Sequence, residues 1–503
     1  MAGSQQKLPA ALGADEKAVS TAGQMPSALG MAPLHVAVLI YAVLIGFNQR
    51  LLNDPDTFSH IAAGRWIWHH GHVPSTDPFS FTVQGAPWIA HEWLAELMLA
   101  GAYGALGWAG VVAITAAAAA FTYGLLCRFL KDLLPLSVAL FAVAASFALT
   151  LPHILARPHV LDMPILVAWT ISLDRARSKS GSPSYLLLPL MILWANLHGG
   201  FVIGLALTAA YGVETAIAAP SRSERWQTAR SWAAFLIAAA LSSLITPYGL
   251  DGPLFAFHLS NQTYILSQVV EWRSADFSKI GALEIWVLGL LALGFASPLR
   301  LPLVRLVILL GLVHVSLVHI RNADLLALVA PIILARPLAD ALRGTRLSLA
   351  KGNPAAQYYA AAAFALTVAT GLIAWNGITH DDQRIAPTEA LAAARAAGVS
   401  GPVLNAYGFG GYLMFAGIPP YVDGRNDLYL DAFMRNYMDV VTAKGDALAN
   451  ALDRYRIGWT LLQPDMDAVA VLDRSPAWRR VYADDDAVVH QRVAPTDSDH
   501  ADR

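Results

Sequence analysis

The sequence predicts an α-helical polytopic membrane protein of about eleven transmembrane helices, followed by a small soluble α/β C-terminal domain. Three observations carry this. The 503 residues are 56% hydrophobic and only 14% charged, with a mean hydropathy of +0.47, whereas a soluble globular chain carries about 25% charged residues. The apolar residues fall in blocks close to the roughly 20 residues that a helix needs to cross a bilayer. Beyond residue 376 the composition reverses, with 18 Asp and Glu against 12 Lys and Arg.

In chain order, residues 1–32 are rich in Ala, Gly, Ser and Gln and lack the charged start and short apolar core of a secretory signal. They read as a disordered cytoplasmic tail. Apolar blocks then fall near 33–49, 108–128, 133–151, 158–174, 183–196, 199–219, 231–247, 280–298, 302–319, 323–341 and 355–376. The connections 128–132, 175–182, 220–230, 299–305 and 336–351 hold fourteen Lys and Arg, among them Arg175, Arg177, Lys179, Arg222, Arg225 and Arg343. The alternate connections hold only Arg50, Arg65, Arg157, Arg273, Lys279 and Arg321. The positive-inside rule therefore puts the basic set and the N-terminus in the cytoplasm and the C-terminal domain outside. An outer turn at Asn196–Gly200 is needed to keep these sides. The domains expected are a membrane domain over 33–376 with a large first outer loop at 50–107, a soluble extracytoplasmic domain over 377–495, and a tail over 496–503. Residues 92–106, with Glu92 and Glu96 one helical turn apart among apolar side chains, suit an interfacial helix.

Some functions are excluded at this point. A net charge of −2 gives no basic signature of nucleic-acid binding. A single cysteine, Cys127, leaves no disulfide framework and no thiol metal site.

The unusual polar residues collect on the predicted outer side. None of the fifteen histidines lies in the five basic loops. Asp54 and Asp56, separated by Pro55, follow the first span; such a pair can ligate a divalent cation through oxygen, or one member can act as a general base. Arg157 and Arg321 offer planar forks suited to phosphate, with His60, His91, Glu92, His159, Asn196, His198 and Asn322 as further binding groups. Taken singly, each fits helix capping, an ion pair or interfacial anchoring. Six separate outer turns bringing such groups to similar depth point instead to a shared polar site.

The acidic motif after the first span, the long outer loop, the many spans and the soluble C-terminal domain resemble the GT-C superfamily of membrane glycosyltransferases. Asp54–Ile67, Asp77–Thr82, His91–Leu94, Asn196–Gly200 and Tyr421–Tyr429 are similar to motifs of a largely uncharacterised bacterial membrane group, a resemblance that spans roughly residues 33–495 and implies a bacterial inner membrane. The superfamily implies inverting transfer of a sugar from a polyprenyl-phosphate donor to an envelope glycan, lipid or protein acceptor at the outer face, with membrane lipids as further partners. Its first-loop acid maps onto Asp54 or Asp56, as catalytic base or ligand of a divalent cation. Here that acidic pair is split by Pro55. Two other expectations compete: a glycolipid transporter or flippase, and a non-catalytic subunit of a polysaccharide assembly machine. No internal repeat and no ionisable chain through the middle of the spans favours the transporter.

In the C-terminal domain, strands are expected at Pro402–Asn405, Tyr421–Asp423, Trp459–Leu462, Val481–Tyr482 and Ala487–His490, the last two flanking an Asp484–Asp486 turn. Gly408–Tyr412 reads as a tight packing turn, because it lacks a lysine and matches no nucleotide fingerprint. Asp423, Arg425 and Asp427 either face the membrane site or form an ion-paired turn.

Overall fold

The computed structural model describes residues 30–252, 264, 272–343, 356–380 and 382–493. The tail expected over 1–32 lies outside these except at Gly30, Met31 and Ala32, and the tail over 496–503 lies wholly outside, as do residues 344–351 of the last basic connection.

Among the described residues, four helices are long and apolar enough to cross a membrane: Trp108–Lys131, Leu136–His153, Phe201–Ala218 and Ile320–Ala341. Ala32–Gly46, Tyr185–Leu197, Ala282–Ala296 and Leu303–Val318 are shorter apolar helices. Two more helices, Pro158–Ser178 and Arg222–Ser242, are long but carry ionisable side chains. The second starts inside a connection expected to be a loop. Ser221 at its N-cap accepts the Glu224 N–H at 3.2 Å, so its first turn forms despite three arginines within nine residues. Close packing comes from small residues: a Cβ on Gly204 would lie 2.5 Å from the Trp194 ring, and the Gly204 carbonyl accepts the Trp169 indole N–H at 3.0 Å.

At one end of the bundle, arginines counted in the sequence as loop markers are paired between helices. Arg305, only 1% exposed, donates through Nε to Glu214 at 3.0 Å, through Nη2 to Asp174 at 2.9 Å and through Nη1 to the Ile333 carbonyl at 2.9 Å. Arg336 and Arg177 complete the cluster on Asp174 and Glu214. A buried charge persists only when paired in this way, and the sequence reading did not anticipate this network.

At the other end sits the C-terminal four-stranded sheet, in order β1-β2-β4-β3, with β1 (Val403–Asn405) parallel to β2 (Trp459–Leu462). β3 (Trp478–Ala483) and β4 (Val488–Arg492) run antiparallel across the turn that Asp484 holds by accepting the Asp486 and Ala487 N–H groups. Tyr421–Asp423 is not the expected strand. It is a buried loop whose polar groups pair with a side chain: Asn405 Oδ1 accepts the Tyr421 N–H and Asn405 Nδ2 donates to the Val422 carbonyl, each at 2.8 Å.

The sheet domain docks onto the segment between the helices Ala32–Gly46 and Trp108–Lys131. Phe58, 1% exposed, packs edge-on against Trp108, Tyr412 and Phe415, and the Arg65 guanidinium lies 4.4 Å from the Phe415 ring centre. Gly411 meets the helix start at Pro55, where a Cβ would come within 2.4 Å of the Pro55 carbonyl oxygen. Tight packing is thus the role of that glycine turn.

Candidate active site

Between the helix ends and the docked domain lies a cavity of about 440 Å³. Asp56 opens the helix Asp56–His70, where the unpaired N–H groups favour a carboxylate. Asp54 accepts the Asp56 N–H through Oδ1 at 2.7 Å and is 2% exposed. Arg157 stands in extended conformation just before the helix Pro158–Ser178, and the neighbouring Ala156 is tied to Leu51 and Thr57 by hydrogen bonds of 2.7 and 3.1 Å. Its guanidinium therefore reaches both aspartates, pairing with Asp54 through Nε and donating through Nη2 to Asp56 Oδ2 at 2.7 Å.

Of the two, Asp56 lines the cavity and Asp54 does not. Asp54 lies behind it, accepting the Asp56 N–H and pairing with Arg157. Among the described residues, no three His, Cys, Asp or Glu side chains are grouped to hold a metal ion. The positive charge at the aspartate pair comes from Arg157, which touches both carboxylates.

One turn along the same helix, His60 Nδ1 lies 3.5 Å from Glu96 and 3.9 Å from Glu92. Burial pushes the imidazole pKa down, but the Glu96 hydrogen bond and the charges of Glu92, Glu96 and Asp56 outweigh it, and it is raised to about 9. Burial likewise raises Glu92, yet His91, His60, His198 and Arg321 more than offset it and keep that carboxylate below its usual range. His91 moves down because burial dominates over Glu92. His198 moves up against its burial, since Asp162 Oδ2 stands 2.8 Å from its Nδ1.

The other anticipated residues divide. Arg321, stacked 4.7 Å over Trp272, lines the cavity with Asn322 and His159, whose Nε2 donates to the His153 carbonyl at 3.0 Å. Asn196 does not. Its Oδ1 accepts the Trp93 indole N–H at 2.8 Å, and its Nδ2 donates to the Ile192 and Ile245 carbonyls at 2.7 and 2.9 Å, so its polar groups are spent on clasping three elements together.

Some cavity residues were not assigned from sequence. Asp162 holds both His198 and the Trp194 indole N–H; its signal was a lone aspartate inside an apolar block. Glu96 is 4% exposed and its Oε2 has no hydrogen-bond partner among the described residues. Arg425 and Asp427 line the cavity from the C-terminal side. Burial raises the Asp427 carboxyl to about 7, with Arg425 opposing and Asp423 and Glu92 adding to it. The ion-paired turn and the cavity-facing turn, held open as alternatives, are one and the same loop.

No family model and no curated protein matches the chain. Solved structures do. The oligosaccharyltransferase of Archaeoglobus fulgidus superposes with a TM-score of 0.54 over 86% of this chain and 69% of its own, at 12% identity. ArnT from Cupriavidus metallidurans, solved with undecaprenyl phosphate, aligns over 92% of this chain and 98% of its own at 12% identity, with a TM-score of 0.32. The likeness to the oligosaccharyltransferase shows that the chain has a GT-C-like fold.

Proposed function

We propose that this chain is a membrane glycosyltransferase that moves a sugar from a polyprenyl-phosphate donor to an acceptor hydroxyl at the outer face of the bacterial inner membrane. One observation carries the reading: a single cavity at the helix ends joins a carboxylate, Asp56, to two guanidinium groups, Arg157 and Arg321, under a lid from the C-terminal domain. A lipid-phosphate donor keeps its tail in the bilayer and offers its scissile bond at headgroup depth. The oligosaccharyltransferase fold supports glycosyl transfer as the chemistry.

In this reading the acceptor oxygen attacks the anomeric carbon as its proton passes to Asp56. The carbon–oxygen bond to phosphate breaks, and polyprenyl phosphate leaves with the electron pair. Protonation neutralises Asp56 and weakens its hold on Arg157, so the guanidinium becomes available to the phosphate as negative charge develops there. Arg321 and His198 supply further donors.

The test is transfer by the purified protein from polyprenyl-phosphate monosaccharides, followed by release of polyprenyl phosphate. Asp56→Asn is expected to lower turnover at least 100-fold, in the range of general-base contributions, with polyprenyl-phosphate binding retained. A protein that binds the lipid phosphate but never transfers sugar, or an Asp56→Asn variant as active as the parent, overturns the reading; the first result would assign binding or flipping instead.

A further inference from the structure

Asp56 is held from two sides by parts of the chain far apart in sequence. Arg157 grips Oδ2 at 2.7 Å. On the other side lies Gly424, at which an added Cβ would stand 2.0 Å from Asp56 Oδ1, 3.0 Å from Cγ and 3.6 Å from Oδ2. This glycine is not in the left-handed backbone region, so close approach is what requires it here.

The turn that presents Gly424 is built to stay in place. Arg425, 8% exposed, is locked by Asp423 through Nε at 2.8 Å and Nη2 at 2.7 Å, while its Nη1 donates to Asp77 at 2.7 Å. Its guanidinium stacks 4.6 Å from the Trp88 ring centre, and Tyr429 donates to Asp423 at 2.7 Å. Asp77 in turn accepts the Phe79 and Ser80 N–H groups. A buried, bidentate arginine in such a cage makes a rigid turn rather than an adaptable loop.

We infer that the Asp423–Asp427 turn of the C-terminal domain is a positioning element of the catalytic centre, with Gly424 as the wall that keeps the Asp56 carboxylate against Arg157. This rests on the proposed role of Asp56. It makes the C-terminal domain half of the site rather than an accessory.

The clash geometry supplies the test. A methyl at 424 meets the free end of a side chain, which can swing aside, whereas a methyl at 411 meets the Pro55 carbonyl at 2.4 Å and cannot be accommodated by side-chain movement. Gly424→Ala is therefore expected to fold with an unchanged melting midpoint and to keep KM for a polyprenyl-phosphate monosaccharide within twofold. It should lose at least tenfold in kcat. Its acid limb should move to higher pH, because a carboxylate displaced from Arg157 is more basic. Parent-like kcat and acid limb in Gly424→Ala, or a kcat loss matched by a falling melting midpoint, overturns the inference. An inactive Asp56→Asn beside a parent-like Gly424→Ala rejects positioning alone; a fully active Asp56→Asn rejects the base.

Discussion

His60 Nδ1 stands 3.5 Å from the Glu96 carboxylate, at the contact between two helices that approach so closely that a Cβ on Gly64 would lie 2.0 Å from the Glu96 carbonyl oxygen. This pair decides how the cavity wall responds to pH.

The His60 pKa rises from 6.5 to about 9 because neighbouring carboxylates outweigh burial. A histidine bound more tightly to its proton when folded contributes stability that is complete below pH 6.5 and lost as pH climbs through 9. The melting midpoint should therefore fall between these values. Glu96→Gln should flatten that fall; a slope unchanged in this variant would show that His60 does not carry it.

Asn196 separates clasping from substrate binding. Its three hydrogen bonds join Trp93, Ile192 and Ile245. Asn196→Leu should destabilise the protein by roughly 1–3 kcal/mol, the cost of leaving buried partners unsatisfied, and lower the melting midpoint. Turnover per folded molecule should stay within twofold. A selective loss of turnover or donor affinity at constant melting midpoint would return Asn196 to the substrate-binding set.

The fold was legible in the sequence where hydrophobicity is uniform: the blocks at 199–219 and 323–341 became the helices Phe201–Ala218 and Ala323–Ala341. It was least legible where a side chain replaces a backbone partner, as Asn405 does for Tyr421 and Val422. At the site, residue type was enough to nominate Asp56, Arg157, His198 and Arg321, which line one cavity, but not to tell which of Asp54 and Asp56 faces it. The surroundings of Asp56 come from Arg157 and Gly424, which lie over 100 and over 350 residues away. Pairings at such separations leave no local period to read.

Arg305 tests whether the buried ion cluster is structural. Arg305→Ala leaves Asp174, which is fully buried, and Glu214 without their central partner. Breaking a buried pair in this way costs about 3–5 kcal/mol. The expected result is a strong drop in melting midpoint and yield, with normal kcat in whatever protein folds. Normal stability would show that Arg177 and Arg336 suffice to neutralise the two acids.

Asp427 gives a pH dependence of the same direction as His60, at lower pH. Its carboxyl is raised from 3.8 to about 7, first by burial and then by Asp423 and Glu92, with Arg425 opposing. A carboxyl that holds its proton more tightly in the folded state disfavours folding once it must ionise, so the penalty grows from about pH 4 and is complete above pH 7. Asp427→Asn removes the ionisation while keeping the shape. It should raise the melting midpoint at pH 8 and leave it nearly unchanged at pH 4, which thermal unfolding at the two pH values can read. Because Asp427 lines the same cavity as Asp56, its titration should also appear as a step near pH 7 in kcat/KM that is missing in the variant. A parent-like pH profile and an unmoved midpoint at pH 8 would mean that Asp427 ionises freely, with solvent reaching it beneath the C-terminal lid.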